Sequence, residues 1–334
     1  MTVTMLPERA ALPEVLPTER LTRSGMPVPE VRAELRKIAN ARNVVSVVVL
    51  WGAVVGAITA AVWLHHWWSW ALLFLLMGTF FARFAILGHE AAHRLLFTHK
   101  RANDWVGKWL LSYPAFVPFD IYRRAHFAHH REEFGPNEPD LAFYDGYPAT
   151  PSSMRRKLVR DAIGISGWKN LKPLLTAGRS KGARPLVARI LGTQAVILLA
   201  FALAGHPELY LLLWLAPWMT VWRVLNRLRS IAEHGGMTRS PDRRLTTHHV
   251  RQHRLARFVM VPYNTGWHLA HHVDMGVPWR NLPGLHDELV QAGWVTPLLE
   301  YPSYLALWRR LASGAETEAV PSVTTRRPQE MAPA

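Results

Sequence analysis

Long apolar runs with few or no charged residues alternate with polar and basic stretches along this chain. Residues 44–64 (VVSVVVLWGAVVGAITAAVWL) contain no charged side chain. As a helix rising about 1.5 Å per residue, this run would span roughly 30 Å, the thickness of the hydrocarbon core of a bilayer. A second apolar run at 67–87 follows after only two residues and carries Arg83 near its far end. A connector this short predicts an antiparallel transmembrane hairpin.

A second pair of apolar runs repeats this arrangement later in the chain. Residues 187–204 and 209–225 are joined by the short string GHPE, and Pro217 is expected to kink the last run. The pattern therefore predicts an all-α integral membrane protein with four transmembrane helices, arranged as two hairpins.

The positions of Lys and Arg orient these helices in the membrane. The connectors at 65–66 and 205–208 contain neither residue, whereas the segments 88–186 and 226–334 are rich in both. By the positive-inside rule, both termini and the long middle segment face the cytoplasm. We therefore expect an integral protein of a bacterial cytoplasmic membrane, with its active site on the cytosolic side.

The same pattern divides the chain into three regions. Residues 1–43 are rich in proline and charge, and form a cytosolic N-terminal segment with a short polar helix predicted from Pro29. Residues 44–313 form the membrane domain. The tail at 314–334 has the composition of a disordered segment.

Composition narrows the chemistry and the partners. The chain has no cysteine, so thiolate and iron–sulfur sites are excluded and histidine and carboxylate remain as strong metal ligands. Its net charge of +15 is compatible with nucleic acid, anionic lipid or an acidic protein. The fifteen tryptophans, several beside the apolar runs, favour the membrane, and we expect no nucleic-acid partner.

The first candidate metal-binding string follows the second apolar run. GHEAAHR at 88–94 places His89 and His93 four residues apart, and therefore on one face of a helix. With Glu90 the string is H-E-x-x-H, the signature of zinc metalloproteases. The same residues would serve equally well in another kind of metal site, so this string alone leaves the metal open.

Two further strings repeat a tighter histidine spacing. HFAHH contains His126, His129 and His130, and HLAHH contains His268, His271 and His272, each at positions i, i+3 and i+4 of one helical face. His234 follows the fourth apolar run. All of these histidines fall on the side of the membrane that the charges predict to be cytosolic, which indicates one shared site.

Seven other histidines are expected to be structural. Three of them, His65, His66 and His206, lie in the connectors on the opposite side of the membrane. Four others lack the tripod spacing: His248, His249, His253 and His286.

The number of clustered histidines bears on the metal. A protease zinc needs three protein ligands and an open position, whereas eight or nine imidazoles suit two metal ions with four or five nitrogens each. Imidazole binds iron, copper and zinc alike. The membrane setting points to a lipid substrate, and chemistry on an alkyl chain requires oxygen activation, which favours iron.

The order H-x-x-x-H, H-x-x-H-H, H-x-x-H-H across two hairpins resembles the membrane fatty acid desaturase family, with its hydroxylase and ketolase relatives. The likeness covers about residues 44–300. EPDLAFYDGYP at 138–148 is similar to the acidic stretch after that family's second box, and WHLAHHVDMGVPWRNLPGLHDEL at 267–289 to its third box. Ala270 stands where the third box usually has Glu, and VPW at 277–279 leans toward the ketolases.

The resemblance implies a mushroom-like fold: four long helices and a cytosolic helical cap that holds two iron ions. His234 then corresponds to the additional histidine ligand of the family. The implied metal ligands are His89, His93, His126, His129, His130, His234, His268, His271 and His272. The implied function is desaturation of a long-chain fatty acyl group with O2. The sequence contains no His-Pro-Gly-Gly string, which would indicate a fused cytochrome b5. We therefore expect a separate electron donor such as ferredoxin.

Other activities remain compatible with these residues. A hydroxylase or ketolase acting on a lipid or carotenoid would use the same ligands, because the outcome depends on how the substrate lies relative to the irons. The HEAAH string allows a membrane zinc metalloprotease that depends on Glu90. A non-enzymatic metal- or haem-binding membrane protein would bind metal without forming a product.

Charged residues near the boxes have predicted supporting roles. Glu90, Asp140 and Asp274 are candidates to hydrogen-bond the distal ring nitrogens of the ligands and fix their tautomers. Arg123 and Arg124, beside the second box, could bind an acidic headgroup or an acidic electron donor, or could reflect only the positive-inside topology.

Overall fold

The computed structural model describes residues 4–314 and is helical over most of its length. The α-helices are, in chain order, α1 Pro29–Leu35, α2 Asn40–Leu64, α3 Trp67–Ala92, α4 Lys100–Val106, α5 Phe119–Glu132, α6 Leu141–Tyr144, α7 Pro151–Ala162, α8 Ile165–Ala177, α9 Arg184–Leu203, α10 Ala216–Met219, α11 Val221–His234, α12 Arg254–Val259, α13 His268–Val273, α14 Leu282–Gln291 and α15 Tyr304–Leu311.

Shorter elements complete the description. Two π-helical segments cover Gly107–Ser112 and Tyr210–Leu215, and three 3-10 turns cover Arg9–Ala11, Arg243–Leu245 and Pro297–Leu299. Strands β1 His249–Val250 and β2 Glu300–Tyr301 pair in parallel. The predicted all-α class therefore holds apart from this small sheet. The predicted disordered tail lies outside the described residues, except for Gly314.

Three helices are long and apolar enough to cross a membrane: the one that ends at Leu64, Trp67–Ala92 and Arg184–Leu203. They cover the first three predicted spans. α2 and α3 meet at the predicted two-residue connector, where His65 adopts a left-handed conformation with φ of 49° and ends α2. The tryptophans beside this turn are largely exposed, as expected where an apolar helix reaches a lipid–water boundary.

The fourth predicted span is not one continuous helix. The π-helical segment leads into α10, and the helix breaks at Thr220, whose φ and ψ are −119° and −82°. Pro217 explains the irregularity, because a proline lacks the N–H that the preceding turn requires. The expected kink is therefore present as a break, and the count of four spans stays a prediction.

The C-terminal half of α3 lies at the centre of the fold. From Met77 to Ala92 nearly every residue of α3 is buried, and α11 crosses it at Gly78. A Cβ atom at Gly78 would lie 2.3 Å from a methyl carbon of Val221, so only glycine permits this approach. The main apolar core surrounds this crossing and includes Phe81, Phe84 and Trp214.

Two smaller apolar clusters pack the remainder of the described chain. One joins α15 to α11 through Leu307 and Ile231, and the other joins α13 to α14 through Leu269 and Leu285. The N-terminal segment packs against both, since Met5 belongs to the first cluster and Leu21 to the second. The helix α13, which bears the third histidine string, thus packs against both α14 and the N-terminal segment.

Candidate metal centre

The nine predicted histidines come from four elements and meet in one place. His89 lies in the last turn of α3 and His93 follows it directly. The second string lies on α5, the third on α13, and His234 is the last residue of α11. Eight of the nine residues are at most 9% exposed, and the His268 side chain is 12% exposed.

Five of these rings form what we call the first group. One nitrogen from each lies within 4.8 Å of the others, and the members are His89, His93, His126, His130 and His271. The Nε2 atom of His130 lies 3.1 Å from Nε2 of His126 and 3.1 Å from Nε2 of His271. All three histidine strings therefore contribute to a single nitrogen-lined position.

The other four rings form the second group. Nitrogens of His129, His234 and His272 lie within 4.8 Å of one another. His268 joins them, because its Nε2 lies 3.1 Å from Nε2 of His234 and 3.0 Å from Nε2 of His272. The groups adjoin: the ring centroids of His130 and His272 are 4.4 Å apart. This division of five and four matches the number of nitrogens expected for two metal ions.

The contacts between Nε2 atoms point to a cation. In a neutral imidazole each ring nitrogen carries either one hydrogen or one lone pair. The Nε2 of His130 cannot hydrogen-bond favourably to two other Nε2 atoms at once, and the same holds for His268. Burial lowers the pKa of His93 to about 3, and burial also depresses the pKa of His271. These two rings are therefore neutral, the form that binds metals. In His129 burial also lowers the pKa, but the hydrogen bond to Glu138 and the charge of that carboxylate outweigh burial and raise it.

Carboxylates that the sequence analysis did not single out lie beside the distal ring nitrogens. Glu138 accepts a hydrogen bond from Nδ1 of His129 at 3.0 Å, and Glu133 contacts Nδ1 of His272. Glu233 lies 3.5 Å from Nδ1 of His268. Such partners fix the tautomer and the orientation of a ligand ring. In the sequence, the available sign of these roles was that each of the three glutamates lies close to a predicted histidine ligand.

The fourth distal contact in this group uses the backbone. Nδ1 of His234 donates to the carbonyl oxygen of Thr246 at 2.9 Å. Each of the four rings of the second group therefore has an oxygen atom close to Nδ1. Its other ring nitrogen, Nε2, is left for the interior of the group.

Two of the three predicted carboxylates lie beside the histidines, but in a different way from that predicted. Oε1 of Glu90 is 3.3 Å from Nδ1 of His89 without hydrogen-bond geometry, and its Oε2 accepts from the Trp279 amide at 3.1 Å. Asp140 lies within 4.8 Å of His129 and Glu138, but Glu138 is the residue that bonds the ring.

The structure contradicts the predicted role of Asp274. Its carboxylate, 1% exposed, pairs with Arg32 at 3.0 Å and with Arg36, both on α1, and accepts from the Gly276 amide. These guanidinium groups hold the pKa of Asp274 below its usual value against the opposing effect of burial, which is the largest single influence. Asp274 thus ties the N-terminal segment to α13 instead of orienting a histidine.

Arg123 is also engaged differently from the prediction. It donates to the carbonyl oxygens of Ala91 and Ala92 at the end of α3, each at 2.9 Å, and pairs with Asp104. These contacts cap α3 directly beside His93 and leave Arg123 unavailable for a partner. Arg124 is exposed, so the predicted role in binding an acidic partner stays open for Arg124 alone.

The histidines expected to be structural lie outside both groups. His248 donates to the Gly235 carbonyl oxygen at 2.8 Å, and His253 donates to that of Pro302 at 2.8 Å. His249 stacks on His286 with a centroid distance of 4.7 Å. His65, His66 and His206 lie at the two turns far from α13.

A cavity of about 530 Å³ opens beside the two groups. Its walls come from α3, α5, α8, α9 and α11, and are apolar over most of their area. Phe116, Leu174 and Trp222 are among the lining residues, and His89, His129 and His268 reach it from the metal-binding groups. A buried apolar pocket next to convergent polar groups is the usual form of a small-molecule site.

The fold and the site define a helical membrane protein whose clustered histidines could hold metal ions. The family model described as Fatty acid desaturase matches residues 65–304, well over half of the chain. The chain therefore belongs to the fatty acid desaturase family.

Individual relatives agree with this assignment. Dihydrorhizobitoxine desaturase of Bradyrhizobium elkanii is 26% identical over 247 residues, 68% of this chain and 69% of that protein. The sn-1 acyl-lipid omega-3 desaturase (ferredoxin) of Synechocystis is 30% identical over 28% of this chain and 25% of its own length. The chloroplastic omega-3 fatty acid desaturase of Brassica napus is 33% identical over 32% and 28%. The matched segment thus covers only about a quarter of the length of each of these last two relatives.

Proposed function

We propose that this protein catalyses the oxygen-dependent desaturation of a long-chain fatty acyl group at a histidine-ligated diiron centre. The observation that carries the proposal is the pair of adjoining buried histidine groups beside an apolar cavity, in a member of the fatty acid desaturase family. Family membership supports an oxidoreductase and not the protease that HEAAH alone allowed.

The chemistry of the donor set fits two iron ions. One ion would be held by the first group and the other by the second, through neutral imidazole nitrogens that suit iron. When bound, the two irons would supply the redox chemistry with O2 that removes hydrogen from an unactivated methylene.

The protein's own residues would position these ligands and the substrate. Glu133, Glu138 and Glu233 would keep the rings in the tautomer that turns Nε2 inward. The apolar walls, including Phe116 and Trp218, would exclude water and hold an alkyl chain with one methylene at the histidine groups. Removal of two vicinal hydrogens from that chain gives the double bond.

We further propose four spans with both termini and the histidines on the cytosolic side of a bacterial cytoplasmic membrane. The interrupted stretch from Tyr210 to His234 would form the fourth span. Electrons would come from a separate ferredoxin-type donor, a proposal that the printed name of the Synechocystis relative supports. The exposed Arg124 would help to bind that acidic protein at the cytosolic face.

The proposal is tested by metal analysis followed by lipid profiling. The purified chain should contain two irons. Expression with a ferredoxin, in a host that lacks unsaturated acyl chains and carotenoids, should give new monounsaturated or polyunsaturated acyl chains. Hydroxylated or keto products without a new double bond would move the assignment to the hydroxylase and ketolase branch. One zinc per chain without any oxygen-dependent product would overturn the proposal.

A further inference from the structure

Arg223 lines the same cavity as the histidines but stands apart from them. It lies eleven positions before His234 on α11, roughly 16 Å along the helix axis. Its Nε donates to the Trp218 carbonyl oxygen at 3.1 Å, and its guanidinium lies 4.1 Å from the centroid of the Trp218 ring. The break at Thr220 releases this carbonyl from the helix, so the contact explains the orientation of the side chain.

The guanidinium has no acidic partner among residues 4–314. The nearest acidic group, Asp161, attracts the guanidinium electrostatically but forms its ion pair with Arg227. The three carboxylates that line the cavity, Glu90, Asp140 and Glu233, lie at the opposite end and each is near a histidine ring. A half-buried cation without an ion-pair partner is costly, and its remaining N–H donors need acceptors.

A second polar side chain lies next to Arg223 on the cavity wall. Asn226 follows by three positions and therefore shares a face of α11 with Arg223. Its side-chain amide makes no hydrogen bond to any described part of the chain. The part of the cavity remote from the histidines thus presents a cation and a free amide, in surroundings that are mostly apolar and include Pro173 and Leu174.

We propose that Arg223 and Asn226 bind the anionic end group of the substrate, a carboxylate or a phosphate, while its alkyl part extends toward the histidines. The planar guanidinium matches both anions through paired hydrogen bonds. The inference rests on the proposed function in one respect, namely that the alkyl part is what reacts. It assigns the site that would select an acidic substrate over a neutral one.

Equilibrium binding to the full chain in neutral lipid nanodiscs tests the inference, with empty nanodiscs subtracted. The probes are radiolabelled dodecanoate, dodecyl phosphate and methyl dodecanoate, each measured on metal-free and iron-loaded protein. Replacing the guanidinium in Arg223→Gln should weaken binding of the preferred anion by at least about tenfold, the loss expected for a charge-assisted hydrogen bond. Binding of the neutral ester should not change.

Further variants separate recognition from folding. Asn226→Asp should weaken anion binding by charge repulsion and spare the ester, whereas Arg223→Lys should retain part of the anion affinity. Arg155→Gln, at an exposed position of α7, is the matched control and should behave as the parent protein. The preferred anion, carboxylate or phosphate, identifies the end group.

The outcomes distinguish this inference from the proposed function. Equal binding of anion and ester, unaffected by Arg223→Gln and Asn226→Asp, would overturn the inference even if new double bonds form. Binding that depends on Arg223, in a protein that forms no double bond when loaded with iron, would support the anion site and contradict the desaturase proposal alone.

Discussion

At the scale of single residues, His271 links two histidine strings through its nitrogen contact with His130. Its neighbours in the first group are contributed by α3 and α5, so removing this ring opens a position that no other side chain fills. We expect His271→Ala to abolish desaturation and to lower the iron content of the purified protein. The control is His253→Ala, since His253 is an exposed histidine outside both groups. Full activity in His271→Ala would contradict the ligand assignment.

Glu138 would act on the proposed metal centre through His129. Its side chain is fully buried, and its carboxylate accepts a hydrogen bond from Nδ1 of His129. We expect Glu138→Ala to weaken iron binding by about 10- to 100-fold, the usual cost of losing a carboxylate behind a histidine ligand.

Titration of the purified protein with ferrous iron would measure this loss. Glu132→Ala removes a carboxylate from the same stretch of chain without touching a histidine and should bind iron normally. Equal iron affinity of the two variants would show that Glu138 has no positioning role.

At the scale of elements, α1 clamps the helix that carries the third histidine string. Arg32 and Arg36 of α1 pair with the buried Asp274 at the end of α13. Removing one partner of a buried ion pair leaves an uncompensated charge and costs about 3–5 kcal/mol. Because Arg36 is 38% exposed and Arg32 remains, we expect Arg36→Ala to cost roughly 2 kcal/mol.

Thermal unfolding of the iron-loaded protein would measure this destabilisation. Arg20→Ala removes another ion pair of the N-terminal segment, that with Glu288 of α14 at 2.6 Å, but Arg20 is largely exposed. It should leave the melting temperature nearly unchanged, since exposed pairs contribute little. Similar melting temperatures for both variants would show that the ion pair between Arg36 and Asp274 does not stabilise the protein.

The interruption between α10 and α11 shows how one helix can serve two purposes. The break at Thr220 redirects α11 across α3, where Gly78 permits close approach, and brings His234 to the second group. It also exposes the Trp218 carbonyl oxygen that Arg223 caps. A straight fourth helix would satisfy that carbonyl internally and would give the cavity wall a different set of side chains.

At the scale of the whole molecule, the positive-inside distribution predicts both termini and the middle segment on the cytosolic side. A reporter fused after Ala334 and one inserted near Ser153 should both show cytoplasmic activity. An insertion in the 205–208 connector should show the opposite location. An external signal near Ser153 would contradict the two-hairpin arrangement, because the three histidine strings would then lie on different sides of the membrane.

The sequence by itself determined the features that depend on local spacing. Apolar runs of about membrane length, with at most one charged residue each, predicted α2, α3 and α9, because hydrophobic length and helical rise are properties of a single segment. The spacing of i, i+3 and i+4 placed each histidine triplet on one helical face, and the number of strings indicated a shared site. These inferences required no knowledge of which segments touch.

Only the tertiary structure decided which distant residues meet. Asp274 contacts α1 more than 230 positions away in the chain and not the adjacent histidines, and Glu133 reaches His272 across 139 positions. Neither pairing follows from spacing, since a carboxylate near a histidine string can point to any surface packed against it. The lack of an ion-pair partner for Arg223 likewise depends on how α7, α8 and α9 pack beside α11, since Asp161 of α7 pairs with Arg227 instead. Local periodicity says which face of a helix is polar, but the packing of the other helices decides what that face meets.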